Sequence, residues 1–89
     1  MTSAKLTLLN RTGLHARPAA MLVETAGRFR SKISVRGDGK TADATSILGL
    51  MLLGAGNGCE IVVEASGEDE AEAVSAVAAL VTSRFEEGC

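Results

Sequence analysis

The segment Thr12–Ala20, TGLHARPAA, holds the chain's only histidine, His15, and its only proline, Pro18, with Arg17 between them. A neutral imidazole keeps one ring nitrogen with a free lone pair, so it can take a proton or attack an electrophile. Pro18 is well tolerated in the first turn of a helix, which places a helix start within a residue or two of His15. A helix start carries N–H groups without intrahelical partners and the positive end of the dipole, and both favour an anion. Arg17 adds a guanidinium suited to phosphate oxygens. Histidine is a poor N-cap compared with Ser, Thr, Asp or Asn, so its place here suggests a use. An imidazole beside an anion-binding helix end suits a phosphoryl acceptor. The ring nitrogen attacks in line while the N–H groups and the guanidinium hold the equatorial oxygens. A lone histidine also has plainer readings, as a surface or structural residue or as a general base.

Other segments imitate chemical motifs without completing them. Ser34–Thr41, SVRGDGKT, ends like a phosphate-binding loop, but Ser34 stands where the first glycine belongs and the segment reads as a hairpin. Gly54–Gly58, GAGNG, lacks the GxGxxG spacing and precedes a strand. With one histidine and two distant cysteines, Cys59 and Cys89, no zinc cluster can close. Nothing places a serine nucleophile beside His15 to build a triad.

A length of 89 residues suits one domain spanning 1–89, just able to bury a core without disulfides or metal. Phe29 and Phe85 are the only aromatics, so the core must come from Leu, Val, Ile, Ala and Met. No signal-peptide pattern and no membrane-length apolar run is present, so a cytoplasmic protein with free thiols is expected. Residues 1–40 carry eight bases against two acids, and residues 41–89 carry Arg84 alone against nine acids. The basic half fits an acidic partner or an anion. Nucleic acid is disfavoured because no aromatics interleave with the bases.

The elements that must position His15 follow from periodicity. Ala4–Asn10 reads as a strand. Ala19, Leu22, Val23 and Ala26 mark an amphipathic helix ending near residue 28. Lys32–Arg36 and KTADA flank a Gly37–Gly39 turn as a hairpin. Ser46 is placed to N-cap a short helix over SILGLMLLG, with Gly54 near its end. Glu60–Ser66 is a strand with Ile61 and Val63 on one face. Asp69–Phe85 is a helix with Val74, Val77, Ala78, Val81 and Phe85 on one stripe, Asp69, Glu70 and Glu72 in its first turn and Arg84 in its last. The order βαββαβα predicts an α+β open-faced sandwich, four mostly antiparallel strands with three helices on one face.

On the short helix, Leu50 and Leu53 share a core-facing side. Ile47, Leu48 and Met51 share another side. Left exposed beside basic groups, and joined by Ala20 of the first helix, they would form a partner-docking patch.

GLHARPAA followed about thirty residues later by TSILGLM resembles HPr, the histidine-containing phosphocarrier family of the bacterial phosphotransferase system, over essentially the whole chain. The resemblance implies that His15 accepts a phosphoryl group at Nδ1 from Enzyme I, charged by phosphoenolpyruvate, and passes it to IIA domains of sugar permeases. Arg17 matches the family's arginine beside the phosphate, and Ala16 and Pro18 support the helix start. The protein is then a carrier and not an enzyme, with no cofactor beyond the transient phosphoryl group and no membrane insertion, and it is expected to be a monomer. Ser46 matches a serine that HPr kinase/phosphorylase modifies in many Gram-positive bacteria, implying that enzyme and a catabolite-control regulator as partners. Phosphate there would set a dianion on the docking surface and repel an acidic Enzyme I. Thr45 departs from the lysine common before that serine. A nitrogen- or regulation-type paralogue, relaying phosphate to control proteins, is the alternative within the family.

Overall fold

The computed structural model of the chain describes residues 1–8, 14–37, 39–54, 56 and 58–83. The elements are β1 (Thr2–Thr7), α1 (Ala16–Ala26), β2 (Lys32–Gly37), β3 (Lys40–Asp43), α2 (Ile47–Leu52), β4 (Glu60–Ser66) and α3 (Glu70–Thr82). This is the expected βαββαβα order. The sheet order is β1-β4-β2-β3, and every neighbouring pair is antiparallel.

Period-two alternation sorts the sheet's two faces. Ile33, Val35, Ile61, Val63 and Ala65 turn inward and are buried with Ala19, Leu22 and Ala26 of α1, Leu50 of α2, and Ala73, Val74, Val77 and Val81 of α3. The opposite face carries Lys32, Arg36, Glu60 and Glu64, and its cross-strand ion pairs are Lys5–Glu60 and Arg36–Glu64. The helices therefore cover one face and leave the other to solvent.

Several boundaries differ from the sequence reading, β2 running on through Gly37 and β3 stopping at Asp43 among them. The first strand runs Thr2–Thr7, earlier than the expected Ala4–Asn10, because pairing with β4 recruits the polar residues Thr2 and Ser3 opposite Ala65 and Glu64. Leu8 follows it, fully buried, exchanging backbone hydrogen bonds with Cys59 and Gly58. Leu9 and Asn10 lie outside the described residues. Helix α1 stops at Ala26, with Gly27 as its C-cap.

Asp69 lies outside α3, whose first residue is Glu70. Its carboxylate accepts hydrogen bonds from the amides of Arg30 and Ser31 and from the Ser31 hydroxyl. Asp69 is the N-cap of α3 through its backbone carbonyl, which accepts from the Ala73 amide at 2.9 Å, while its side chain makes no capping bond and ties the loop before β2 to the helix start. On α3, Ala73 is buried and Ala78 only partly so. Arg84 and Phe85, expected in this helix, lie outside the described residues.

Candidate functional site

Helix α1 begins at Ala16, with His15 as its N-cap in extended geometry (φ −81°, ψ 178°). The backbone N–H of Ala19 donates to the His15 carbonyl at 2.9 Å, closing the first helical turn. The His15 side chain makes no capping hydrogen bond. The imidazole is therefore not engaged in the role its backbone position offers, and the residue is exposed. Pro18, the third helical residue, is buried and has no N–H. The outward-pointing N–H groups of this helix end thus belong to Ala16 and Arg17. Both residues are exposed, and Arg17 takes part in no ion pair among the described residues.

Ser46 is the N-cap of α2 and is half-buried. The backbone N–H of Gly49 donates to its Oγ at 3.0 Å. The loop before it is fixed by Asp43, whose carboxylate accepts from the amide of Thr45 at 2.8 Å and its hydroxyl at 2.6 Å. The side-chain bond from Thr45, then the backbone bond, hold the Asp43 carboxyl below its usual range.

Helix α2 packs against α1 and against β3. Leu50 and Leu53 are buried as expected, and Ile47, Leu48 and Met51 are exposed, as is Ala20 of α1. Leu52 is exposed too, a position the sequence reading passed over. Its spacing of four residues from Leu48 is the signal that could have found it. Of the expected basic rim, α2 itself carries no charge and Arg28, just beyond α1, is engaged by Glu24 at 3.2 Å, which leaves Arg17 as the exposed base of α1 without an ion pair among the described residues. Among the described residues no group of three His, Cys, Asp or Glu side chains could hold a metal ion. No helix among the described residues is long and apolar enough to cross a membrane. Cys59 is a half-buried free thiol, and Cys89 lies outside the described residues.

The family model for the PTS HPr component phosphorylation site matches residues 2–83. The chain belongs to the HPr family. It is 43% identical over 88 residues to the phosphocarrier protein HPr of Cupriavidus necator, covering 99% of each chain. It superposes on a crystal structure of HPr from Thermoanaerobacter tengcongensis with a TM-score of 0.95, at 44% identity and full coverage of both chains. A crystal structure of an HPr dimer from the same organism matches at 45% identity with a TM-score of 0.76, covering 96% of this chain and 98% of that one. A dimer thus exists within the HPr family, and the expectation of a monomer has no support from these relatives.

Proposed function

We propose that this HPr-family chain carries a phosphoryl group on His15 between Enzyme I and the IIA domains of sugar permeases. The observation that carries the reading is the N-cap of α1. An exposed histidine occupies a capping position without using its side chain to cap, directly before an exposed arginine. The Nδ1 lone pair attacks phosphorus, the N–P bond forms, and the bond from phosphorus to the donor breaks. The N–H groups of Ala16 and Arg17, the helix dipole and the Arg17 guanidinium stabilise the phosphoryl oxygens. The reverse exchange delivers the group to the acceptor. The chain binds and holds the phosphoryl group, and its partners catalyse the transfers.

Ala20, Ile47, Leu48 and Met51 form the surface on which these partners dock. Ser46 is the regulatory site, phosphorylated by HPr kinase/phosphorylase. Its capping role is compatible with phosphate, because a helix N-terminus tolerates added negative charge.

Incubation with phosphoenolpyruvate and Enzyme I tests the carrier reading. One acid-labile phosphoryl group, read by intact mass and absent in His15→Ala, is the expected result. No adduct, or one that survives His15→Ala, contradicts it. Transfer to regulatory acceptors with none to any IIA domain would instead favour the regulation-type alternative.

A further inference from the structure

Gly49 is the third residue of α2 and is half-buried. Glycine is the poorest helix former after proline, so a glycine inside so short a helix calls for a local reason. The space where its side chain would stand supplies one. A Cβ at Gly49 would lie 3.1 Å from the Ser46 Oγ and 3.4 Å from the Cβ atoms of Ser46 and Ala42. The first of these is tighter than ordinary van der Waals contact, so a neighbour would have to give way.

Little there can give way. The Ser46 amide donates to the Asp43 carbonyl at 3.0 Å, and the Ser46 carbonyl accepts from the Leu50 amide at 3.0 Å, so this backbone is pinned on both sides. Ala42 is buried in β3, opposite Val35. Only the Ser46 hydroxyl can turn, and turning breaks the bond it accepts from the Gly49 amide. The adjacent hydroxyl is placed differently: Thr45 Oγ1 is committed as a donor to the Asp43 carboxylate at 2.6 Å. Ser46 Oγ is held as an acceptor beside an empty side-chain position, and accepting a bond leaves its own proton free to pass to a base.

We infer that Gly49 is the positioning residue for phosphorylation of Ser46: its amide fixes Oγ, and its missing side chain leaves room for a phosphoryl group there. This rests on the reading of Ser46 as the regulatory site, and it names what opens that serine to its kinase. In the transfer, an Oγ lone pair attacks the terminal phosphorus of a nucleoside triphosphate held by the kinase. The Oγ–P bond forms, the bond from phosphorus to the nucleoside diphosphate breaks, and the hydroxyl proton passes to a base of the kinase. The phosphoryl oxygens must fit around Oγ, where a methyl group at position 49 would already stand at 3.1 Å. Such a methyl crowds the transition state more than the first encounter with the kinase, so its cost falls on kcat.

The test is Gly49→Ala, phosphorylated by HPr kinase/phosphorylase with ATP and followed by intact mass, with Ser46→Ala as the blank. The kcat/KM for Ser46 is expected to fall about tenfold or more, through kcat and with KM near the wild-type value. Gained helix propensity and strain at the cap oppose each other, so the unfolding midpoint is expected to stay within about 6 °C of the wild type. Phosphorylation of His15 by Enzyme I is expected to stay near the wild-type rate, because a side chain at position 49 meets Ser46 and Ala42 and not the exposed side chains of α2. A Gly49→Ala protein modified on Ser46 with wild-type kcat and KM overturns the inference. So does a loss at Ser46 matched by an equal loss at His15 or by a larger fall in the midpoint, since the damage is then to the fold. If the kinase leaves the wild type unmodified, or modifies Ser46→Ala equally well, the Ser46 reading itself has failed and the inference falls with it.

Discussion

The amide of Ala19 donates to the carbonyl of His15 at 2.9 Å, so His15 caps α1 with its backbone while its imidazole caps nothing. A residue that sits at the N-cap without a capping side chain gives up stability that Ser, Asp or Asn would supply.

This trade-off yields a two-sided expectation. His15→Asn should raise the unfolding free energy by about 0.5–1 kcal/mol, because its side chain can accept from the N–H groups of the first turn. The same variant should accept no phosphoryl group. Denaturant unfolding alongside a phosphorylation assay checks both. A variant less stable than the wild type would mean the imidazole contributes to the fold after all.

At Ser46 the cap is real, with the Gly49 N–H donating to Oγ at 3.0 Å. Ser46→Ala should cost about 1 kcal/mol of stability. Ser46→Asp keeps a capping oxygen and should fold normally, yet it sets a charge beside the apolar block of α2. Phosphoryl transfer from Enzyme I should then slow by about tenfold, equivalent to about 1.4 kcal/mol. Unchanged rates with Ser46→Asp would argue against a regulatory effect of charge at this position.

Gly67 has φ +152°, and a Cβ there would lie 2.7 Å from the Cα and Oγ of Ser31. The backbone atom cannot give way as a flexible side chain could. Gly67→Ala should therefore destabilise the protein by about 1–3 kcal/mol. Thermal unfolding measures the loss, and a variant as stable as the wild type would show that the β4–α3 connection adapts freely.

Two carboxylates near that connection should make stability depend on acid. Glu70 accepts from the Thr2 hydroxyl, then from the amino terminus and the Gly67 amide, and these bonds draw it from 4.5 to about 2. Asp69 is lowered by the Ser31 hydroxyl first and by backbone amides. A carboxyl lowered in the folded state stabilises fully above its unfolded value, and that stabilisation is lost as pH falls through the folded one. The unfolding midpoint should therefore drop between about pH 4.5 and about pH 2. Glu70→Gln should flatten this decline. An equal decline in the variant would place the acid sensitivity elsewhere.

Much of this was legible in the sequence for identifiable reasons. Alternation marked Ile61 and Val63, and the 3.6-residue period marked Leu22 and Ala26, because those patterns record burial directly. His15 and Pro18 fixed the helix start because proline limits where a helix can begin. The extension of β1 to Thr2 was not legible, since it depends on pairing with Ala65 far along the chain. Asp69 resembled a helix-end acid by position, and only the fold shows that Ser31 comes within reach of it. Leu52 looked like the other leucines of α2, and its exposure follows from which side of that short helix meets the core.

The most direct test of the account is the nitrogen NMR spectrum of His15 before and after incubation with Enzyme I and phosphoenolpyruvate. A phosphorus coupling at Nδ1 of His15, lost on mild acid treatment, is the expected result. Coupling at Nε2, or an unaltered imidazole in a protein that has gained phosphate elsewhere, would contradict it.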